Sequence, residues 1–176
     1  METNSKSSTS TVSRSKPLLI GVISDTHDNM PAIRKAVDLF NSRGVAHVLH
    51  AGDFCSPFTF RILGDLRCPF TGIYGNNDGE KILLKKLSGE RIFRQPYAFE
   101  LEGKKFVMIH EHNVAEALAA SGHYDVVVFG HTHEPVVKKV GNCLLINPGE
   151  ASGWLYGRCT AALLQMPSLE AEIVAL

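Results

Sequence analysis

Residues 18–27 read Leu18-Leu19-Ile20-Gly21-Val22-Ile23-Ser24-Asp25-Thr26-His27. The first six are continuously apolar, the pattern of a strand covered on both faces rather than one. They run without a spacer into a hydroxyl, a carboxylate and an imidazole. A helix follows: Asp28 or Asn29 can cap it, Pro31 suits its first turn, and Ile33, Val37 and Phe40 recur at helical spacing until Gly44 stops it. Residues 45–50 (VAHVLH) read as a second strand, residues 58–66 as a helix and residues 70–74 as a third strand. Strand, helix, strand, helix, strand predicts an α/β unit with parallel pairing.

Further along, extended stretches at 91–100 and 105–110 flank LEGKK, whose Gly103 predicts a hairpin. A helix over 113–120 ends near Gly122, and YDVVVFG (124–130) is another buried strand. PVVKKVGNCLLINPG (135–149) folds back around Val140-Gly141-Asn142, and strands at 160–165 and 170–174 complete the chain. The expected fold class is α/β: two mixed sheets face to face with helices outside, in one domain over residues 17–176. Residues 1–16, METNSKSSTSTVSRSK, lack the apolar content to pack and are expected to be a disordered tail.

The totals narrow the function. The chain has 176 residues, enough for one domain with a real core and too few for two comfortable ones. Lys+Arg and Asp+Glu are both 18, so the basic excess of a nucleic-acid or anionic-membrane binder is missing. Cys55, Cys68, Cys143 and Cys159 form no C-x-x-C pair, which favours a reducing compartment over a disulfide framework or zinc knuckle. The apolar run from Leu18 is too short for a signal-peptide core, and no segment is long enough to span a bilayer. The expected location is the cytoplasm.

Chemistry-bearing residues fall just behind the expected strands, where open α/β sheets place their ligands. They are Asp25-Thr26-His27, Gly52-Asp53, Gly75-Asn76-Asn77-Asp78, His110 and Gly130-His131-Thr132-His133. Singly each is ordinary: a D-x-H is mostly a capping Asp beside a surface His, and G-D is commonly a turn. Five in this order, each behind a strand, point jointly to a metal-ligating cluster. Asp78 reads best as a helix cap, and His50 as either a support for a ligand or a packed strand-end histidine. Trp154 and Tyr156 could form a pocket wall or a subunit contact.

These segments, with INPGEASG near the end, resemble the calcineurin-like metallophosphoesterases, and more closely their small single-domain archaeal and bacterial phosphodiesterases. The likeness runs from Leu18 almost to the carboxyl end. It implies a four-layer α/β/β/α sandwich of two mixed sheets (the metallo-dependent phosphatase fold) and two divalent metal ions. Residue by residue, it implies one ion on Asp25, His27, Asp53 and His133. The second would lie on Asp53, Asn76, His110 and His131, with Asp53 bridging. Mixed imidazole and carboxylate donors suit Mn²⁺, Ni²⁺, Fe²⁺ or Zn²⁺ better than Mg²⁺, with Mn²⁺ or Ni²⁺ the expected pair. The implied reaction is hydrolysis of a small phosphodiester by a hydroxide shared between the ions, with surplus positive charge drawing in the phosphate.

Many relatives carry a histidine where this chain has Asn77, an amide that donates a hydrogen bond but not a proton. The small phosphodiesterase branch shares that departure, which argues against a protein phosphatase. His112, or else Glu111, would then supply the leaving-group proton. Relatives also imply a homodimer or homotetramer. Two rivals stand beside this reading. One is a non-catalytic scaffold like the retromer subunit of this fold; the other is a phosphomonoesterase or nucleotide pyrophosphatase using the same ions.

Overall fold

Which alternate residues can be buried together sets the faces of each strand, and here most strands are apolar on both. The structure, a computed structural model, describes residues 17–176, so the tail expected over residues 1–16 lies outside the described residues. The strands are β1 (Leu18–Ile23), β2 (His47–His50), β3 (Phe70–Ile73), β4 (Ile92–Phe93), β5 (Tyr97–Leu101), β6 (Lys104–Met108), β7 (Val126–Val128), β8 (Pro135–Val140), β9 (Cys143–Pro148), β10 (Thr160–Met166) and β11 (Glu170–Ala175). The helices are α1 (Met30–Ser42), α2 (Phe60–Leu63), α3 (Lys81–Leu87) and α4 (Ala115–Ala120).

One sheet has the order β11-β10-β1-β2-β3-β4 and the other β5-β6-β7-β9-β8. Both are mixed. β1 to β4 run parallel while β10 and β11 add antiparallel, and β6, β7 and β9 run parallel between antiparallel β5 and β8.

Period-two alternation builds the layers. Ile20 and Val22 of β1 face the interior shared with Phe106, Met108, Val126, Val128, Leu144 and Ile146 of the second sheet. Leu19 and Ile23, on the opposite face, meet Ile33, Val37 and Phe40 of α1. Val107, Val127 and Leu145 point out of the second sheet to Ala115 and Ala119 of α4. Each such fully buried aliphatic side chain contributes about 1.5–3 kcal/mol relative to exposure. The result is the four-layer α/β/β/α sandwich. Gly21 makes the α1 layer fit, because a Cβ there would run into the Phe40 ring.

Helix α1 starts as the sequence suggests: Asn29 caps it, its side chain accepting from Ala32 N at 3.2 Å. Elsewhere the boundaries move. The helix expected over 58–66 is a 3₁₀ turn from Pro57 followed by the single turn of α2, ending at Gly64. The stretch expected as one extended segment over 91–100 divides, β4 joining the first sheet and β5 the second. Pro96 lies between them and has no N–H to continue a ladder.

Candidate metal centre

The parallel strands of both sheets end at one edge of the sandwich, and their following residues converge there. Asp25 and His27 follow β1, Asp53 follows β2, Asn76 follows β3, His110 follows β6, and His131 and His133 follow β7. Backbone bonds latch the loops together: Asp25 N donates to Gly52 O at 3.0 Å, His27 N to Asp53 O at 3.1 Å and Ser152 N to Asp25 O at 3.1 Å. Asp25, His27, Asp53, His131 and His133 all have positive φ, from 40° at His27 to 69° at His131. Non-glycine residues held this way cost about 1–3 kcal/mol each and cluster at functional sites. Two glycines admit the carboxylates: a Cβ on Gly75 would collide with Asp53 Oδ1, and one on Gly130 with Ser24 Oγ and Asp25 Oδ2.

All seven residues expected from the sequence as ligands come together. His27 Nε2 lies 3.7 Å from Asp25 Oδ1 and 3.5 Å from Asp53 Oδ2. His133 Nε2 is 3.3 Å from Asp25 Oδ1, and His110 Nε2 is 3.3 Å from Asp53 Oδ2. Asn76 Oδ1 stands 2.9 Å from His110 Nε2 and 3.0 Å from His131 Nδ1. Asp53 Oδ2 therefore sits between His27 on one side and His110 on the other. Donor atoms of Asp25, His27 and His133 lie within 4.8 Å of one another, as do those of Asp25, Asp53 and His110. Asp25 thus reaches toward both sets.

Two of the imidazoles are oriented from behind. Carbonyl and carboxylate oxygens only accept, so the proton sits on Nδ1 where His110 donates to Ala51 O and His133 to Glu150 Oε2, each at 2.8 Å. Nε2 of each then faces the carboxylates. The Asp25 carboxylate, 3.3 Å from His133 Nε2, pushes the His133 pKa up to about 9 against the effect of burial, with Glu150 reinforcing it. Burial would lower that of His110, but its bond to Asp53 and the surrounding negative charge raise it. Burial also opposes ionisation of Asp25, yet the neighbouring His133 and His27 imidazoles and the Ser24 hydroxyl hold its pKa well below the usual carboxylate range. The site stabilises carboxylates as anions and favours positive charge between them.

The two residues expected to act on substrate are adjacent. Asn77 donates from both N and Nδ2 to Asp53 at 2.8 Å. The exposed His112 ring stacks on His131 with centroids 5.9 Å apart.

Asp78 does not cap α3. Its carboxylate accepts from Gly75 N at 2.7 Å, Cys55 N at 2.8 Å and Asp53 N at 3.2 Å, tying the β2 and β3 loops together. The cap position belongs to Glu80. A buried side chain satisfying three backbone donors is stabilised more here than it would be at an exposed helix start. His50 is fully buried, stacks on Phe54 at 3.7 Å and bonds Thr26 Oγ1 at 3.2 Å, so it supports the β1 loop. Burial lowers its pKa to about 3.

Glu150 escaped the sequence reading. Only 1% exposed, it accepts from His133 and from the backbone N–H groups of Leu155 (3.0 Å) and Tyr156 (2.7 Å). A carboxylate amid small residues directly behind a buried strand was the available signal. Next to it, Trp154 Nε1 donates to His27 O at 3.2 Å.

Asp25 Oδ1 and His27 Nε2 are buried without a hydrogen-bond partner among the described residues. An orphaned carboxylate oxygen and an orphaned imidazole nitrogen facing one space fit a cation better than they fit a packed core. The mixed donor set likewise suits a borderline divalent ion.

Residues 18–168 match the model of the calcineurin-like phosphoesterase superfamily domain. The chain belongs to the calcineurin-like phosphoesterase superfamily. Among members of that superfamily, it is 41% identical over 163 residues to a protein named phosphodiesterase MJ0936 from Methanocaldococcus jannaschii, covering 89% of this chain and 98% of the relative. It is 27% identical over 143 residues to phosphodiesterase YfcE of Escherichia coli K12, covering 73% and 77% respectively. A solved structure described as a novel archaeal phosphodiesterase superposes with a TM-score of 0.84 at 39% identity, over 90% of this chain and all of that one. Vps29 of Entamoeba histolytica complexed with zinc superposes with a TM-score of 0.66 at 24% identity, over 90% of this chain and 99% of that one, a likeness of fold alone. Membership of the superfamily implies divalent metal ions, and the Asp–His sets are candidate ligand clusters for them.

Proposed function

We propose that this chain is a metal-dependent phosphodiesterase whose whole working unit lies within residues 17–176. The observation that carries the reading is the buried Asp53 carboxylate, with His27 Nε2 at 3.5 Å and His110 Nε2 at 3.3 Å from one oxygen. The relative named a phosphodiesterase, 41% identical over nearly its whole length, supports it. Asp25, His27, Asp53 and His133 would hold one ion, and Asp53, Asn76, His110 and His131 the other. When bound, two such ions lower the pKa of a water they share and withdraw charge from the phosphoryl oxygens. Mn²⁺ and Ni²⁺ are the preferred pair on the mixed donor chemistry.

The chain's own residues do the rest. Glu150 and the Ala51 carbonyl fix the His133 and His110 tautomers so that Nε2 faces inward. Asn77 steadies Asp53 with one amide hydrogen and has a second to give to a phosphoryl oxygen. His112 protonates the departing alkoxide as the P–O bond breaks, so water and diester yield a monoester and an alcohol. The substrate is a small diester. Scattered free cysteines fit a cytoplasmic setting, and no helix among the described residues is long and apolar enough to cross a membrane. Assembly as a homodimer or homotetramer completes the reading.

The test is hydrolysis of bis-p-nitrophenyl phosphate with Mn²⁺ or Ni²⁺, with and without chelator, beside p-nitrophenyl phosphate and a dinucleoside polyphosphate. The diester should be cleaved fastest, and only with an ion present. Asp53→Asn should abolish turnover. His112→Ala should slow an alkyl diester by about 10²–10⁴-fold while sparing the nitrophenyl ester, whose leaving group needs no proton. Hydrolysis that survives chelation, or none with any ion, overturns the reading; the second outcome favours a Vps29-like scaffold.

A further inference from the structure

A cavity of about 680 Å³ opens beside the candidate centre, between the β3 loop, α3 and the segment joining β4 to β5. Asn76 forms part of its wall, and so does Gln95, whose Oε1 accepts from His110 N at 2.5 Å. Two of its walls are therefore fastened to residues of the ligand cluster. Lys81, Lys85 and Arg94 also line it, against one carboxylate, Glu111.

The charges do not cancel. Glu111 is engaged by the Gln95 side-chain amide, and Lys85 is 3.4 Å from Glu90. Lys81 and Arg94 have no ion-pair partner within 4.0 Å among the described residues. Lys81 is held at the rim over the Tyr74 ring, 5.5 Å from its centroid. The chain as a whole carries no net charge, so three cations against one lining carboxylate are a local surplus rather than a general basicity. An ammonium and a guanidinium facing one hollow match the oxygens of a phosphate.

We infer that this cavity is a subsite for a second phosphate group, carried on one of the alcohols of the diester, so that phosphorylated diesters are the preferred substrates. The inference rests on the phosphodiesterase reading and names a substrate class for it. The scissile phosphate would sit at the ligand cluster and the second phosphate between Lys81 and Arg94, with Asn76 between the two positions.

The test uses a matched pair, thymidylyl-thymidine with and without a 5′-phosphate, and the full chain loaded with Mn²⁺. The wild type should prefer the phosphorylated dinucleotide by about tenfold or more in kcat/KM, the effect of one or two charge-assisted hydrogen bonds. In Lys81→Gln/Arg94→Gln the preference should fall to about one, with the unphosphorylated dinucleotide cleaved within about twofold of wild type. Both side chains are exposed, so the double variant keeps its fold. No preference in the wild type, or a preference that survives the double substitution, overturns the subsite. Should the protein cleave no diester at all, the phosphodiesterase reading fails by itself. The subsite is then judged by calorimetric titration of inorganic pyrophosphate into protein stripped of metal and desalted: affinity about tenfold weaker in the double variant supports it, and equal affinity refutes it.

Discussion

Glu150 does two things with one carboxylate. It accepts a hydrogen bond from His133 Nδ1, and it anchors the Leu155 and Tyr156 amides of a loop whose three large side chains are largely exposed. Outer carboxylates of this kind raise the basicity of a ligating imidazole and fix its direction. Glu150→Gln keeps an acceptor but loses the charge, so Mn²⁺ affinity measured by calorimetry should fall by about 10–100-fold. Glu150→Ala should lower stability as well, since each buried donor left unpaired costs about 1–3 kcal/mol. Equal metal affinity in wild type and Glu150→Gln would remove the positioning role. Trp154, the sole tryptophan, donates to the His27 carbonyl, so its emission offers a second readout of the same titration.

Among the elements, the strands were the most legible, because a continuous apolar run leaves little alternative to burial on both faces. LLIGVI became β1, and the VVV of residues 126–128 became β7. All seven expected ligands converged because each followed a strand, and strand ends are where the topology brings loops together. The short helices were less legible: α2 is a single turn that follows a 3₁₀ turn opened by Pro57 and stops at Gly64, with no periodicity to mark it. The division of residues 91–100 between two sheets follows from tertiary pairing that no local pattern records. Asp78 and Glu150 were misread or missed for a related reason, since the Asp53 and Cys55 amides that Asp78 accepts from, and the His133 imidazole that Glu150 accepts from, are supplied by other loops. Close approach of these loops is also what Gly75 permits. Gly75→Ala would drive a methyl into the Asp53 carboxylate and backbone. Overpacking of this kind costs about 1–3 kcal/mol, and because Asp53 must move, metal uptake should be lost while circular dichroism stays near wild type. Normal metal stoichiometry in that variant would show the carboxylate to be less confined than described.

At the scale of the molecule, the candidate ligand cluster draws Asp25, Asp53 and Asn76 from the end of one sheet and His110, His131 and His133 from the end of the other. An ion bound there joins both halves, so it should stabilise the whole. At a free-ion concentration 100-fold above Kd the gain is about 2.7 kcal/mol, or roughly 5–10 °C in Tm for a chain of this size. Protons compete for the same nitrogens. With its pKa raised to about 9, protonated His133 contributes stability to the metal-free protein below pH 6.5, and that contribution is lost as pH climbs through 9. The increment in Tm on adding Mn²⁺ should therefore be small at pH 6 and grow toward pH 9; an increment independent of pH would exclude His133 from ion binding. Joining the sheets at only one pole has a further outcome. Depleted of its ion, the sandwich keeps its greasy interior but loses the rivet at its mouth, so the leaves can part there first. Starvation for the metal would then mark idle copies for proteolysis.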